Sequence, residues 1–269
     1  PSLFNDDSVF AVLRRAGVKE SDLPDYSVAG CQEPLIMGKD NGNTTNCWLN
    51  LGKILELTLT DGISAITGKE IGSVCKKESA IEKLTHLRER FYENAQFYID
   101  KMTESANEAT HAVSLLPVPF LSILMGGVKS GYDMRDTEHQ GTEYNGSGCL
   151  IHGNTVVADS FVAVDHLLRE RPQDAKTLLD ALKCNFEGYE ELRQWLLACP
   201  KFGNNEDEAD EETVALTSKI ADMVRAAKNN WGNPFRPDFS TPSTHLLYGD
   251  WVGALPTGRK ARDMLNYGV

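Results

Sequence analysis

The sequence predicts an α/β fold rich in helices, and three observations carry that expectation. Long segments repeat apolar residues at the helical period, the longest over residues 79–115. Between the helical segments lie short apolar runs, such as Tyr26-Ser27-Val28-Ala29, that suit buried strands. The chain has 269 residues, 41% hydrophobic and 25% charged, which is ordinary globular composition and enough for one large α/β domain or two small ones.

The elements follow in order. Residues 9–17 read as a short helix ending on glycine. Residues 26–29 form a strand-like run that delivers the chain to Gly30-Cys31. Residues 38–46 are rich in Gly, Asn and Thr without a period, so they read as a loop. Over residues 48–61, Leu51, Ile54, Leu55, Leu57 and Leu59 predict a mostly buried helix, followed by an irregular Gly-rich stretch to Gly72. In the long helix, apolar residues recur at Leu84, Leu87, Phe91 and Ala95, then at Phe97 and Met102, until Pro117-Val118-Pro119-Phe120 breaks it. Residues 121–125 are a turn of helix or a buried segment, and residues 133–154 read as a polar, Gly-rich loop. Helices are expected at 156–169, 175–182, 189–198 and 214–230, with an acidic loop or helix start at 204–212. Pro234, Pro237, Pro242 and Pro256 predict an extended, loop-like tail.

Charge and cysteine usage narrow the function. A net charge of −12 repels phosphate backbones and argues against nucleic acid as a partner. No apolar run approaches the ~18 residues of a membrane span. The opening residues show neither the basic nor the apolar part of a secretory signal. The six cysteines, Cys31, Cys47, Cys75, Cys149, Cys184 and Cys199, lack CxxC or zinc-like spacing, so they read as reduced and cytoplasmic, most of them small buried hydrophobes. His139 and His152 flank a Gly-rich loop without the carboxylate or cysteine spacing of a metal site, and no bound metal is expected. Gly126-Gly127 and Gly146-Ser147-Gly148 do not fit a nucleotide-binding loop.

Gly30-Cys31-Gln32-Glu33-Pro34 is the segment that could carry chemistry. Gly30 permits a sharp turn, and Pro34 holds Glu33 extended. Cys31 and Glu33 would then project to one side of a rigid loop. A nucleophilic thiolate wants a cationic neighbour, and a carboxylate does the reverse. The pair therefore fits a neutral sulfur beside a general base, or a structural cysteine in a tight turn.

The wider context resembles the active-site region of the glycyl radical enzymes, the pyruvate formate-lyase superfamily, in its eliminase and decarboxylase branch. The matching segments run in collinear order. They are Ala29 to Pro34, Gly38-Lys39, Asn50 to Leu57, Pro117 to Ser122, Tyr144-Asn145, Asn154 to Phe161, Leu178 to Arg193 with Asn185 to Tyr189 inside it, Pro200 to Asn204 and Gly253 to Ala261. The resemblance implies the helix-rich C-terminal half of a ten-stranded barrel, with Cys31 on an interior loop. It implies a protein glycyl radical, installed by a separate S-adenosylmethionine iron–sulfur activase, that oxidises Cys31 to a thiyl radical. The thiyl would abstract hydrogen from a small-molecule substrate, with Glu33 as the base that helps to expel a leaving group. Thr44, Thr45, Trp48, Glu143, Tyr144 and Asn145 would line the substrate pocket.

The pattern departs from the family in two places. No segment matches the family's glycine-radical loop or its N-terminal half-barrel, and Lys129-Ser130-Gly131-Tyr132 is only superficially similar to that loop. Residues 1–269 are therefore expected to be a partial barrel domain, inactive alone, with exposed apolar surface and the remainder of the barrel as a partner. The full-length parent is expected to be a homodimer. In the glycerol-type dehydratases His-Asp stands thirteen and fourteen residues after the cysteine, where this chain has Thr44 and Thr45. A formate acetyltransferase-like enzyme is an alternative, although that chemistry uses two adjacent cysteines and Gln32 follows Cys31 here. A non-catalytic half-barrel assembly subunit is another.

Overall fold

The computed structural model describes residues 4–29, 33–41, 46–72, 78–239 and 244–266. The chain divides into two compact units. The first comprises Pro1–Cys47, Met102–Cys149 and Val224–Arg236; the second comprises Trp48–Lys101, Leu150–Met223 and Pro237–Val269. Among the described residues helices outnumber short strands, as the sequence predicts. A two-stranded sheet pairs β1 (Tyr26–Ala29) with β2 (Glu33–Ile36). A three-stranded sheet has the order β3 (Cys47–Asn50), β4 (Ser147–His152), β5 (Phe235–Asp238). Among the described residues no helix is long and apolar enough to cross a membrane.

In the first unit, α1 (Asp6–Arg15) begins on Asn5, whose side chain accepts from Asp7 N at 2.9 Å. Asp6 and Asp7 lie at its positive end, Arg14 and Arg15 at its negative end. Gly17, at φ +84°, closes it in a Schellman motif. Val18 N donates to Leu13 O and Gly17 N to Arg14 O, both at 3.0 Å. Val18 and Leu13 then join Val9, Leu23 and Ile36 in a buried cluster, with Tyr26 and Tyr144 packed against it. The short helices α5 (Pro119–Leu124) and α6 (Gly127–Ser130) hang on Asp133, which accepts from Val118 N at 2.7 Å and Ser122 Oγ at 2.9 Å. Leu115, Leu116, Phe120, Leu124 and Val128 stay largely exposed, an apolar face of the kind the sequence led us to expect.

In the second unit, α2 (Leu51–Leu59) and α7 (Asn154–Glu170) are buried on nearly all sides and pack on each other. Gly52 and Gly153 permit this approach, since a Cβ on Gly153 would stand 3.0 Å from Gly52 N. The continuous helix expected over 79–115 is two, α3 (Ala80–Thr85) and α4 (Leu87–Ser114), the second 28 residues long. Ser79 and Glu82 form a capping box on α3. His86 separates the two helices, with no Gly or Pro to announce the break, and α3 packs on α7 and α8 (Ala175–Lys183). The helix α9 (Glu190–Ala198) follows. The acidic run expected as a loop or helix start opens α10 (Asp207–Ala226), where carboxylates suit the helix dipole.

Three expectations need correction. The helix expected from residue 48 starts at Leu51, because residues 47–50 pair as a strand and Asn50 caps the helix by accepting from Lys53 N at 3.0 Å. The loop expected over 133–154 contains β4, whose six residues are all buried, so it has no alternation to read. The tail contains β5 and α11 (Thr244–Asp250); the prolines misled because β5 is an edge strand, where Pro237 is tolerated. The described cysteines fit their expectation: Cys47, Cys149 and Cys199 are buried free thiols and Cys184 is half-buried.

Two buried polar groups secure the second unit. Arg259 donates to the carbonyls of Gly249 and Gly253 at 2.8 Å, of Met264 at 3.3 Å and Val252 at 3.4 Å, and of Asp263. Burial pulls its pKa down to about 10. Lysine cannot reproduce the planar fork, so Arg259→Lys is expected to lower unfolding free energy by about 2 kcal/mol or more in urea titrations. Asp159, inside α7, accepts from Phe202 N at 2.8 Å and Asn266 Nδ2 at 3.4 Å. Burial raises its pKa to about 6 from the usual 3.8. The folded state therefore keeps a proton that the unfolded chain releases between these values. This contribution is present near pH 4 and is lost as pH rises through 6, by about 3 kcal/mol. Asp159→Asn keeps an acceptor for Phe202, and urea titrations from pH 4 to 7.5 should show that pH dependence removed in the variant.

Candidate active site

Strands β1 and β2 form an antiparallel ribbon in the register Tyr26↔Ile36, Ser27↔Leu35, Val28↔Pro34 and Ala29↔Glu33. Pro34 has no N–H to give, which a two-stranded ribbon tolerates because each strand has a free edge. The three residues joining Ala29 to Glu33 include Cys31 and lie outside the described residues. Glu33 opens β2 and is half-buried. The sequence suggested a rigid loop for this segment; for Glu33 the rigidity is that of a strand.

The base of the ribbon is fastened by Asp22, which is buried. Its carboxylate accepts from Lys39 Nζ at 2.7 Å and from the Tyr144 hydroxyl at 2.7 Å. These two donors hold its pKa down at about 2. The Tyr144 oxygen in turn accepts from Lys19 N at 3.1 Å. The Tyr144 main chain adds a second fastening, because its N–H donates to Lys39 O at 2.8 Å and its carbonyl accepts from Asn41 N at 3.0 Å. Glu143, beside it, pairs with Lys19 Nζ. Both side chains from the resemblance thus engage protein groups around the ribbon.

Asn145 differs. It is buried, its carbonyl accepts from Asn229 Nδ2 at 2.7 Å, and neither atom of its own side-chain amide has a partner among the described residues. Gly146 next to it leaves room for the Arg236 guanidinium, since an added Cβ would stand 2.0 Å from Arg236 Nε and displace that side chain. The Arg236 guanidinium pairs with the buried Asp40 carboxylate at 3.0 Å, and burial nevertheless raises the Asp40 pKa. Asn46 and Cys47 tie the start of β3 to β4: Gly148 N donates to Asn46 Oδ1 at 3.3 Å and Cys47 Sγ to Gly148 O at 3.4 Å. Thr44 and Thr45 lie outside the described residues.

The remaining site residue, Trp48, belongs to the second unit. Its ring is near-parallel to those of His152, at 5.8 Å between centroids, and Tyr248, at 5.7 Å. Sequence reasoning considered His152 only as a metal ligand; among the described residues no group of three or more His, Cys, Asp or Glu could hold a metal ion. Asp22, Asp40, Arg236 and Tyr248 were missed altogether, because they act through contacts far apart in sequence. The structure so gathers Glu33, Glu143, Tyr144 and Asn145 in the first unit and Trp48 in the second.

Comparison with known proteins supplies the context for this geometry. The model of the family described as pyruvate formate lyase-like matches residues 1–249. The chain is 28% identical, over its whole length, to 34% of the trans-4-hydroxy-L-proline dehydratase of Clostridioides difficile. It is 27% identical, over 97% of its length, to 32% of the (2S)-3-sulfopropanediol dehydratase of Klebsiella oxytoca. Its structure superposes on the glycerol-bound B12-independent glycerol dehydratase of Clostridium butyricum with a TM-score of 0.89 and 28% identity, covering 99% of this chain and 34% of that one. A glycyl radical enzyme from Archaeoglobus fulgidus gives a TM-score of 0.88 at 29% identity, covering 98% of this chain and 34% of that one. The chain spans about one third of the length of these relatives. With its collinear motifs and its α/β architecture, the chain belongs to the pyruvate formate lyase-like family of glycyl radical enzymes.

Proposed function

We propose that this chain is the thiyl-bearing part of a glycyl radical lyase acting on a small molecule, by elimination of a C–X bond or by decarboxylation. The observation that supports the reading is the register Ala29↔Glu33, which pairs the two residues that flank the segment containing Cys31 in the sequence and sets Glu33 at the start of a strand. The similar proteins named as dehydratases, isethionate sulfite-lyase and indoleacetate decarboxylase support a lyase over an acyltransferase. A ribbon clamped at its base suits delivery of one sulfur atom to a fixed place, so the residues present fit a glycyl radical partner. When present, that radical supplies one chemistry: it takes the hydrogen atom of the Cys31 thiol.

The remaining work falls to this chain. The Cys31 sulfur takes a hydrogen atom from a substrate carbon and later returns it. The Glu33 carboxylate accepts a proton from a group on that carbon, which assists departure of the leaving group from its neighbour. The Asn145 amide, buried and without a partner among the described residues, gives a donor and an acceptor to a polar substrate group. Trp48, Thr44 and Thr45 are assigned to substrate contact, and Glu143 and Tyr144 engage protein groups around the ribbon. The rest of the family's barrel, a glycine-radical loop and an activating enzyme complete the machinery. The setting is cytoplasmic and the assembled protein a homodimer.

The test is anaerobic activation of the chain together with the polypeptide that completes the family's length, followed by a substrate panel. The panel includes trans-4-hydroxy-L-proline, glycerol, isethionate and (2S)-3-sulfopropanediol. Cys31→Ala is expected to abolish turnover while leaving the glycyl signal in electron paramagnetic resonance. Glu33→Gln is expected to lower kcat by about 10²–10⁴-fold, the usual worth of a general base. Turnover retained in Cys31→Ala sinks the proposal.

A further inference from the structure

Trp48, His152 and Tyr248 form a three-ring cluster within the second unit. The centroid separations are 5.8 Å for Trp48–His152, 5.7 Å for Trp48–Tyr248 and 4.6 Å for His152–Tyr248, with interplanar angles of 17°, 26° and 20°. Were one ring sandwiched between the other two, the outer pair would be separated by roughly twice the stacking distance, about 9 Å or more. The three separations are instead nearly equal, so Trp48 lies offset across both of the other rings. Exposure grades across the cluster: His152 is 1% exposed and Trp48 41%.

His152 is unusual within this cluster. Both of its ring nitrogens are buried, and neither has a hydrogen-bond partner among the described residues. Leaving a buried polar group unpartnered is unfavourable, and phenylalanine would supply a flat ring without that cost. Burial lowers the His152 pKa, with Asp238 on β5 opposing the shift and His245 on α11 adding to it, so the ring is neutral. A neutral imidazole with idle edges acts through its face. The platform beneath Trp48 is also fixed in its backbone: Asn50, the cap of α2, donates through Nδ2 to Tyr248 O at 3.2 Å. A half-exposed indole on a strand has several rotamers open to it, and a flat platform under one of them selects that rotamer.

We propose that His152, together with Tyr248 beside it, is a positioning residue that fixes the rotamer of the Trp48 indole, a residue assigned to substrate contact, and thereby contributes to specificity. This rests on the assignment of Trp48 to substrate contact. The orientation of Trp48 itself, however, can be read without any turnover, so failure of the radical mechanism and failure of this proposal are separable.

The experiment labels the chain with 5-fluorotryptophan, which reports Trp48, Trp195, Trp231 and Trp251 as separate fluorine resonances. Trp48→Phe assigns the Trp48 resonance by its loss. His152→Ala is expected to shift and narrow that resonance while the other three stay in place, which shows that the fold persists. His152→Phe, which retains the face and discards the nitrogens, is expected to restore the wild-type position. Should His152→Ala fail to fold, the wild-type chain still decides the matter, through a nuclear Overhauser contact between the Trp48 and His152 ring protons. A Trp48 resonance unmoved by His152→Ala overturns the proposal, as does absence of that contact. So does a His152→Phe spectrum displaced as far as that of His152→Ala, because the idle nitrogens would then be what matters.

Discussion

Asp22 gathers three stretches of chain onto one carboxylate. It sits in the turn before β1, accepts from Lys39 just after β2, and accepts from Tyr144 more than a hundred residues later. The ribbon between the first two stretches carries Cys31 and Glu33. A two-stranded ribbon by itself is marginal in water. It needs its ends held, and here a buried, ionised carboxylate does so with two charged or polar donors, while Ile36 and Tyr26 pack into the cluster built by α1. The Schellman turn at Gly17 brings the chain back for that packing. Helix cap, apolar cluster and carboxylate therefore serve one end, the anchoring of the ribbon at its base.

The second unit uses buried polar groups differently. Arg259 collects backbone carbonyls from the end of α11 and the segment after it, so a tail with little regular structure gains a fixed course. Asp159 holds the Phe202 turn through a carboxyl group that burial keeps largely protonated at mildly acidic pH. Among the described residues His152 makes no hydrogen bond through its ring, and offers its ring face to Trp48 and Tyr248. These three residues show that burial of a polar side chain does not by itself reveal its role. The number and direction of its partners do.

Much of the helical framework was legible in the sequence, because amphipathic spacing is local. The segments that became α1, α7, α8, α9 and α10 all carry it. The break at His86 was not legible, since both flanking helices share one apolar period and tertiary packing alone separates them. β4 escaped because burial on both faces removes alternation, and β5 because Pro237 sits where an edge strand has no need of an N–H. At the candidate site, the Cys31–Glu33 spacing and the collinear motifs were visible. The partners that organise them were not: Asp22 to Tyr144, Asp40 to Arg236 and Trp48 to His152 are all long-range contacts without a sequence signature.

The account turns on whether the ribbon that carries Cys31 depends on the Asp22 clamp. Amide hydrogen exchange over residues 26–36, compared between the wild-type chain and Asp22→Ala, measures this directly. With the clamp removed, exchange in that segment should quicken by roughly tenfold or more while the amides of α7 keep their protection. Unchanged protection over residues 26–36 in Asp22→Ala would contradict the account, because the ribbon would then be held by something other than this carboxylate.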